Sequence, residues 1–294
     1  MKIVCALFIT IQLVAGQTVT GPRLFQWVQG IEGKSPDGRR QFVREELKKM
    51  GVKYTTASFA RDRHIGPNTE RLEGENIIVT MGEGTKSVVV GAHFDAVPKS
   101  PGANDNGGGV AVVLGLIESL KEFDWKYRIT FCFFDQEEQG LIGSSEFVKS
   151  YNDSTDHLAM INLDIEGTGE EVYVGPVGGG DDDVILPYVR RAVKKVEAIL
   201  RESEHYPPSD HLSFANKKLE NIAISIVPKG DVALLENAVK KGWQIDPKEM
   251  PKVMKVMHTP NDKSSLVSPR ALATSYEVVK SILLFLNESP PQRR

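Results

Sequence analysis

The chain has 294 residues, 40% of them hydrophobic and 26% charged, enough to bury a sizeable core in one large domain or two small ones. General disorder is thereby excluded. Lys and Arg number 36 and Asp and Glu 39, so the net charge of -3 provides no broad basic field, and no nucleic-acid partner is expected.

Lys2 opens the chain and is followed by an apolar run from Ile3 to Gly16 that closes on the small residues Ala15 and Gly16. That run is too short to span a bilayer comfortably and has the basic start of a secretory signal. Residues 1–16 are therefore expected to be removed, leaving 17–294 as a single secreted domain with no stable membrane association. Of the two cysteines, Cys5 lies in this signal and Cys132 inside Ile129-Thr-Phe-Cys-Phe-Phe134. The exported chain would hold no disulfide and one inert, buried thiol.

From Arg23 to Val52 apolar residues recur at helical spacing, with Gly51 as a stop, and the N-terminal part is expected to be helical to about residue 75. Short β-branched runs predict strands at 76–81, 87–92, 128–134, 158–163 and 222–227. Helical patterns lie between and after them at 108–123, 141–151, 183–202 and 270–286. This alternation predicts an α/β sheet covered on both faces, with ligands at the carboxyl ends of the strands. The Lys-rich stretch 240–255 reads as an inserted surface segment, and 290–294 as a frayed end. Asn152 and Asn287 each begin a glycosylation sequon.

The polar residues following those strands carry the chemistry. His93-Phe-Asp95 places an imidazole and a carboxylate on one side of an extended chain, an arrangement that suits a metal-binding histidine oriented by an acid. Asp105 sits in the glycine-rich turn Gly102-Ala-Asn-Asp-Asn-Gly-Gly-Gly109 before a helix, where a plain cap is the alternative. Glu137 and Glu138 follow the most apolar strand. Their side chains diverge, so one can bind a cation while the other accepts a proton. Asp164 ends another strand, and His258 precedes Thr-Pro-Asn-Asp262. Two histidines and three carboxylates suit a pair of zinc ions bridged by Asp105.

These segments, together with Glu137-Glu-Gln-Gly-Leu-Ile-Gly-Ser144, Asn162-Leu-Asp164 and Ser209-Asp-His211, resemble in order and spacing the secreted double-zinc aminopeptidases of the zinc exopeptidase clan. Relatives in that clan include glutamate carboxypeptidases and glutaminyl cyclases. The resemblance runs from about Asn76 to the last helix and implies a three-layer α/β/α fold with a mixed, mostly parallel central sheet. It implies two Zn2+ per chain, one held by His93, Asp105 and Asp164, the other by Asp105, Glu138 and His258. Asp95 would orient His93, and Glu137 would be the catalytic base.

The implied activity is exopeptidase action on peptide or protein N-termini, in which zinc brings the pKa of water toward about 7 and Glu137 takes the proton. Met257 stands where some of these aminopeptidases carry an oxyanion-binding tyrosine, so the resemblance points instead to Tyr206, with His211, for oxyanion or substrate contact. The rival readings are a glutaminyl-peptide cyclotransferase, a carboxypeptidase or dipeptidase, and a catalytically silent binding relative. A carboxypeptidase needs a cation for the substrate carboxylate, and Arg190, Arg191 and Arg201 read better as a solvated helical face.

Overall fold

The computed structural model describes residues 18–66, 68–151, 156–178, 183–289 and 291; the expected signal segment, Asn152 and most of the tail lie outside them. Eight strands form one sheet: β1 (Thr55–Ile65), β2 (Asn68–Met81), β3 (Lys86–His93), β4 (Arg128–Phe134), β5 (Asp156–Leu163), β6 (Glu171–Gly175), β7 (Ile199–Glu202) and β8 (Asn221–Val227). Their order is β1-β2-β4-β3-β5-β8-β6-β7. The central block β4-β3-β5-β8 is parallel, β1 and β2 form an antiparallel hairpin on one side, and β6 runs antiparallel to β8 on the other.

The helices are α1 (Gly21–Ile31), α2 (Pro36–Lys49), α3 (Gly109–Leu120), α4 (Ile142–Ser150), α5 (Leu186–Lys195), α6 (His211–Ala215), α7 (Asp231–Lys240) and α8 (Pro269–Glu288). Alternation along the buried strands decides which face each residue serves. On β3, Val88 and Val90 join the large core beneath α1, α3, α5 and α8, whereas Val89 turns to the smaller core under α4 and α6. On β4, Phe131 and Phe133 face the large core while Cys132 and Phe134 face the small one. Both faces are thus sealed, as expected for a three-layer α/β/α fold. Polar groups are left with the strand ends.

The structure corrects several element assignments. Helix ends at Lys49, and 55–75 is the β1–β2 hairpin, whose residues are mostly exposed and so carry no apolar period to read. The expected helix over 183–202 stops at Lys195 and gives way to β7, while β6, α6 and α7 were not anticipated. The Lys-rich stretch is more than surface, because Val253 is buried in a third apolar cluster against which Met254 and Met257 pack. Asn287 is buried in α8, accepting from Lys126 N at 2.7 Å and donating to Asp124 O at 3.2 Å, so its amide is occupied by the fold. No helix among the described residues is long and apolar enough to cross a membrane.

Burial pushes the Cys132 thiol well above its ordinary pKa, and the side chain is fully covered. Protein prepared without residues 1–16, and so without Cys5, is expected to leave Cys132 unreacted with an aromatic disulfide reagent for hours and to consume one equivalent at once in denaturant. Rapid native labelling would contradict this packing.

Candidate metal and substrate site

Four short segments meet where the parallel strands end. His93 is the last residue of β3, Asp135 to Leu141 follow β4, and Asp164 follows β5. The tight turn Ala103–Gly108 delivers Asp105 to the same point. That turn is tied to β5 through Asn106, whose Nδ2 donates to Leu163 O at 2.8 Å while its Oδ1 accepts from Gly109 N at 2.9 Å. Only glycine fits at 109, since a Cβ there would stand 2.3 Å from Asn106 Oδ1 and 2.8 Å from Leu163 O.

Asp105 lies between the two histidines. Its Oδ1 is 3.3 Å from His93 Nε2 and its Oδ2 is 3.0 Å from His258 Nε2. Asp164 Oδ1 lies 3.6 Å from His93 Nε2, and Glu138 Oε2 lies 3.1 Å from His258 Nε2. Two sets therefore form, His93 with Asp105 and Asp164, and Asp105 with Glu138 and His258, each with its ligand atoms within 4.8 Å of one another. Glu137 stands within the same distance of His93 and Glu138. All five expected ligands and the expected base converge.

The supporting contacts keep these carboxylates apart and aimed. Asp95 accepts from Glu137 N at 3.1 Å and Glu138 N at 3.2 Å, fixing the two glutamates through their backbone. Its Oδ1 also lies 3.4 Å from His93 Nδ1. Ser209 donates to Asp164 Oδ2 at 2.8 Å and accepts from Asn162 at 2.9 Å. Asp262, to which no sequence pattern assigns a role, accepts from Asn104 N at 2.8 Å and Asp105 N at 3.1 Å. Its place at the end of the His258–Asp262 turn was the available signal. Gln136, Ile165 and His258 hold left-handed backbone conformations beside the site, a strain that accompanies functional loops.

Electrostatics follow from this crowding. Burial pushes Glu137 well above the usual carboxylate range, reinforced by Asp210, Asp164 and Glu138 and opposed by His93. Glu138 is also raised by burial, despite its bond to His258. Asp105 is held below the usual range because its hydrogen bonds to His258 and His93 outweigh burial. The Asp105 and Glu138 carboxylates raise His258 to about 10.

A cavity of about 240 Å3 opens onto Asp105, Glu137, Glu138, Asp164 and His258. Its remaining walls are largely apolar and include Ile165, Val227, Leu235, Trp243, Met254 and Met257. Tyr206 lines it, stacked on Tyr173 with centroids 4.6 Å apart, and its hydroxyl meets Ser225 Oγ. Ser225 donates its single proton to Asp164 O, so Tyr206 must donate to Ser225 and has no proton to spare for an oxyanion. His211 is fully buried behind Tyr206, with ring centroids 5.7 Å apart, and does not line the cavity. Its ring nitrogens have no hydrogen-bond partner among the described residues, and burial lowers its pKa to about 4.

Residues 76–283 match peptidase family M28. Aminopeptidase YwaD of Bacillus subtilis is 35% identical over 133 residues, covering 43% of this chain and 29% of that protein. The chain thus spans less than a third of the length of the curated relatives it matches. The fold is similar to that of BSAP, a zinc aminopeptidase from Bacillus subtilis, with a TM-score of 0.74 at 15% identity over 95% of this chain and 98% of the other. Porphyromonas gingivalis glutaminyl cyclase shares it too, with a TM-score of 0.70 at 19% identity over 92% and 99%.

A cation binding His258 needs the neutral imidazole, whereas the surrounding carboxylates keep that ring protonated up to about 10. Adding Zn2+ to the metal-free protein near pH 7 is therefore expected to release protons, and its apparent affinity to rise with pH below about 10. Calorimetry in two buffers of different ionisation heat measures the release. Heats independent of the buffer would contradict the assignment.

Proposed function

The chain belongs to peptidase family M28, and from that premise we propose that it is a zinc-dependent aminopeptidase acting on peptides with a bulky apolar first residue. The observation that carries the reading is the pair of donor sets sharing Asp105, beside Glu137, at the base of an apolar-walled cavity. Imidazole and carboxylate donors suit zinc. The buried Glu138 Oε1 and Asp164 Oδ1 have no hydrogen-bond partner among the described residues, as expected of atoms meant for a cation. His93, Asp105 and Asp164 would hold one ion, and Asp105, Glu138 and His258 the other. Bound zinc would acidify water and polarise a scissile carbonyl.

The chain's own residues supply the remainder. Asp95 anchors the peptide of Glu137, whose carboxylate faces the cavity and would take a proton from the attacking water, then return it to the departing amine. Its buried, electronegative surroundings raise its proton affinity toward that task. The apolar walls would receive an uncharged side chain beside the reacting carbonyl. Tyr206 serves as a cavity wall rather than as an oxyanion donor.

Aminopeptidase action is favoured over carboxypeptidase action because no Arg or Lys is among the described residues lining the cavity. Arg190, Arg191 and Arg201 pair instead with Glu202, Glu288 and Glu171. A relative bearing the name aminopeptidase supports the same choice. The pair of donor sets beside Glu137 suits a metal-activated water attacking a peptide carbonyl, which favours hydrolysis over cyclisation. Secretion is part of the proposal and rests on the apolar start of residues 1–16.

Glu137→Gln tests the reading. The variant is expected to keep two zinc ions while kcat/KM on leucyl and phenylalanyl arylamides falls by about a hundredfold or more, the scale of losing a positioned base. Wild-type turnover of aspartyl arylamide should be far slower than of leucyl. A variant as fast as wild type would sink the mechanism. Ammonia release from a Gln-initiated peptide that is not shortened would replace the reading with cyclisation.

A further inference from the structure

Arg39 occupies a place where an apolar residue belongs. On α2 the buried stripe is Arg39, Phe42, Val43, Glu46 and Leu47, the spacing of one helical face. The guanidinium is 1% exposed and donates to four backbone carbonyls. Nε reaches Phe94 O, Nη1 reaches Ile31 O at 3.3 Å and Pro101 O at 3.2 Å, and Nη2 reaches Gly102 O at 3.1 Å.

Those acceptors sit on three segments. Ile31 ends α1, Phe94 lies between His93 and Asp95, and Pro101 with Gly102 leads into the turn that carries Asp105. The turn is gripped from its other side by Asp262, which accepts the amides of Asn104 and Asp105. A shift at Gly102 would therefore pass directly to Asp105, whose carboxylate lies within 3.3 Å of His93 and 3.0 Å of His258.

We infer that Arg39 is a positioning residue for the metal centre: a planar clamp that sets the spacing between the His93–Asp95 segment and the Asp105 turn. The inference rests on the zinc reading of that centre. The clamp depends on shape as much as charge, because a lysine ammonium gathers its three donors at one point and cannot span carbonyls on three segments. Arg39 lies outside the family match of 76–283, so this part of the site comes from the N-terminal helices.

The test compares wild type, Arg39→Lys and Arg39→Met as full chains, measuring Zn2+ affinity by chelator competition and melting with and without zinc. Both variants are expected to bind zinc about 10–100-fold more weakly, the usual cost of losing an outer support of a metal ligand. The gap between zinc-loaded and metal-free melting temperatures should narrow. A merely structural arginine would lower both melts equally and leave affinity unchanged, which would overturn the inference, as would full rescue by lysine. Should neither variant fold, Arg39→Gln takes their place, a shorter side chain whose single amide nitrogen cannot span carbonyls on three segments. The same loss of affinity is then expected, and an unchanged affinity overturns the clamp. A wild-type chain that binds no zinc defeats the metallopeptidase reading itself.

Discussion

The constraint on which this structure depends is the confinement of many carboxylates at one end of a sheet. Asp95, Asp105, Glu137, Glu138, Asp164 and Asp262 meet within a few residues of the ends of β3, β4 and β5 or on loops folded against them. Two like charges 4 Å apart repel by about 4 kcal/mol at an effective dielectric of 20, so several such pairs rival the whole stability of a domain. The fold answers in layers. Backbone amides take Asp95 and Asp262, histidines flank Asp105, and the Arg39 guanidinium stands behind them. Arg39 remains charged at neutral pH even though burial lowers its pKa to about 10. What these groups leave unbalanced, two dications would neutralise.

The reason the acids collect there is visible in the strands. β3, β4 and β5 bury both faces, so a charged side chain within Val88 to Ala92 or Ile129 to Phe134 would have no solvent and no partner. That is why the strand ends could be read from sequence. An apolar run that stops abruptly at His93, Asp135 or Asp164 marks both the end of a buried strand and the start of the chemistry. The same rule fails for β1 and much of β2, which are exposed and polar, and for β7, which alternates between exposed and half-buried positions without an apolar face. Arg39 is hidden in sequence for a related reason: an arginine in a helical apolar stripe reads as an edge residue, and only the fold gathers four carbonyls around it.

Tyr206 and His211 sit differently with respect to the cavity, one lining it and the other buried behind it. The resemblance pairs them for oxyanion or substrate contact, yet the Tyr206 hydroxyl is engaged by Ser225 and the His211 imidazole is buried away from the cavity. Sequence cannot convey that Ser225, nineteen positions later, competes for the tyrosine proton. The cavity wall was equally hidden, since Leu235, Trp243, Met254 and Met257 belong to a stretch whose lysines dominate its appearance. Methionines on such a wall can adapt to several apolar side chains, which separates breadth of side-chain acceptance from the rigid geometry of the metal donors.

The N-terminal helices are integral to the site rather than an appendage to the family core. Gly33 N donates to Pro101 O at 2.8 Å, and Glu32 Oε1 accepts from Ser264 N at 3.1 Å, so the α1–α2 connection grips the loops on both sides of the centre. Arg40, beside the clamp, pairs with Asp135 at 2.8 Å, and that carboxylate in turn accepts from Glu75 N at 3.0 Å. One turn of α2 thereby secures three segments of the site: the end of β3, the Asp105 turn and the start of the glutamate loop. With no disulfide available to the sole described cysteine, these polar ties and the shared carboxylate of Asp105 do the cross-linking. A cation in each donor set would together join β3, β5, the Asp105 turn, the glutamate loop and the His258 turn through the shared Asp105. Metal binding and the stability of the whole carboxyl end should consequently be one quantity seen from two sides.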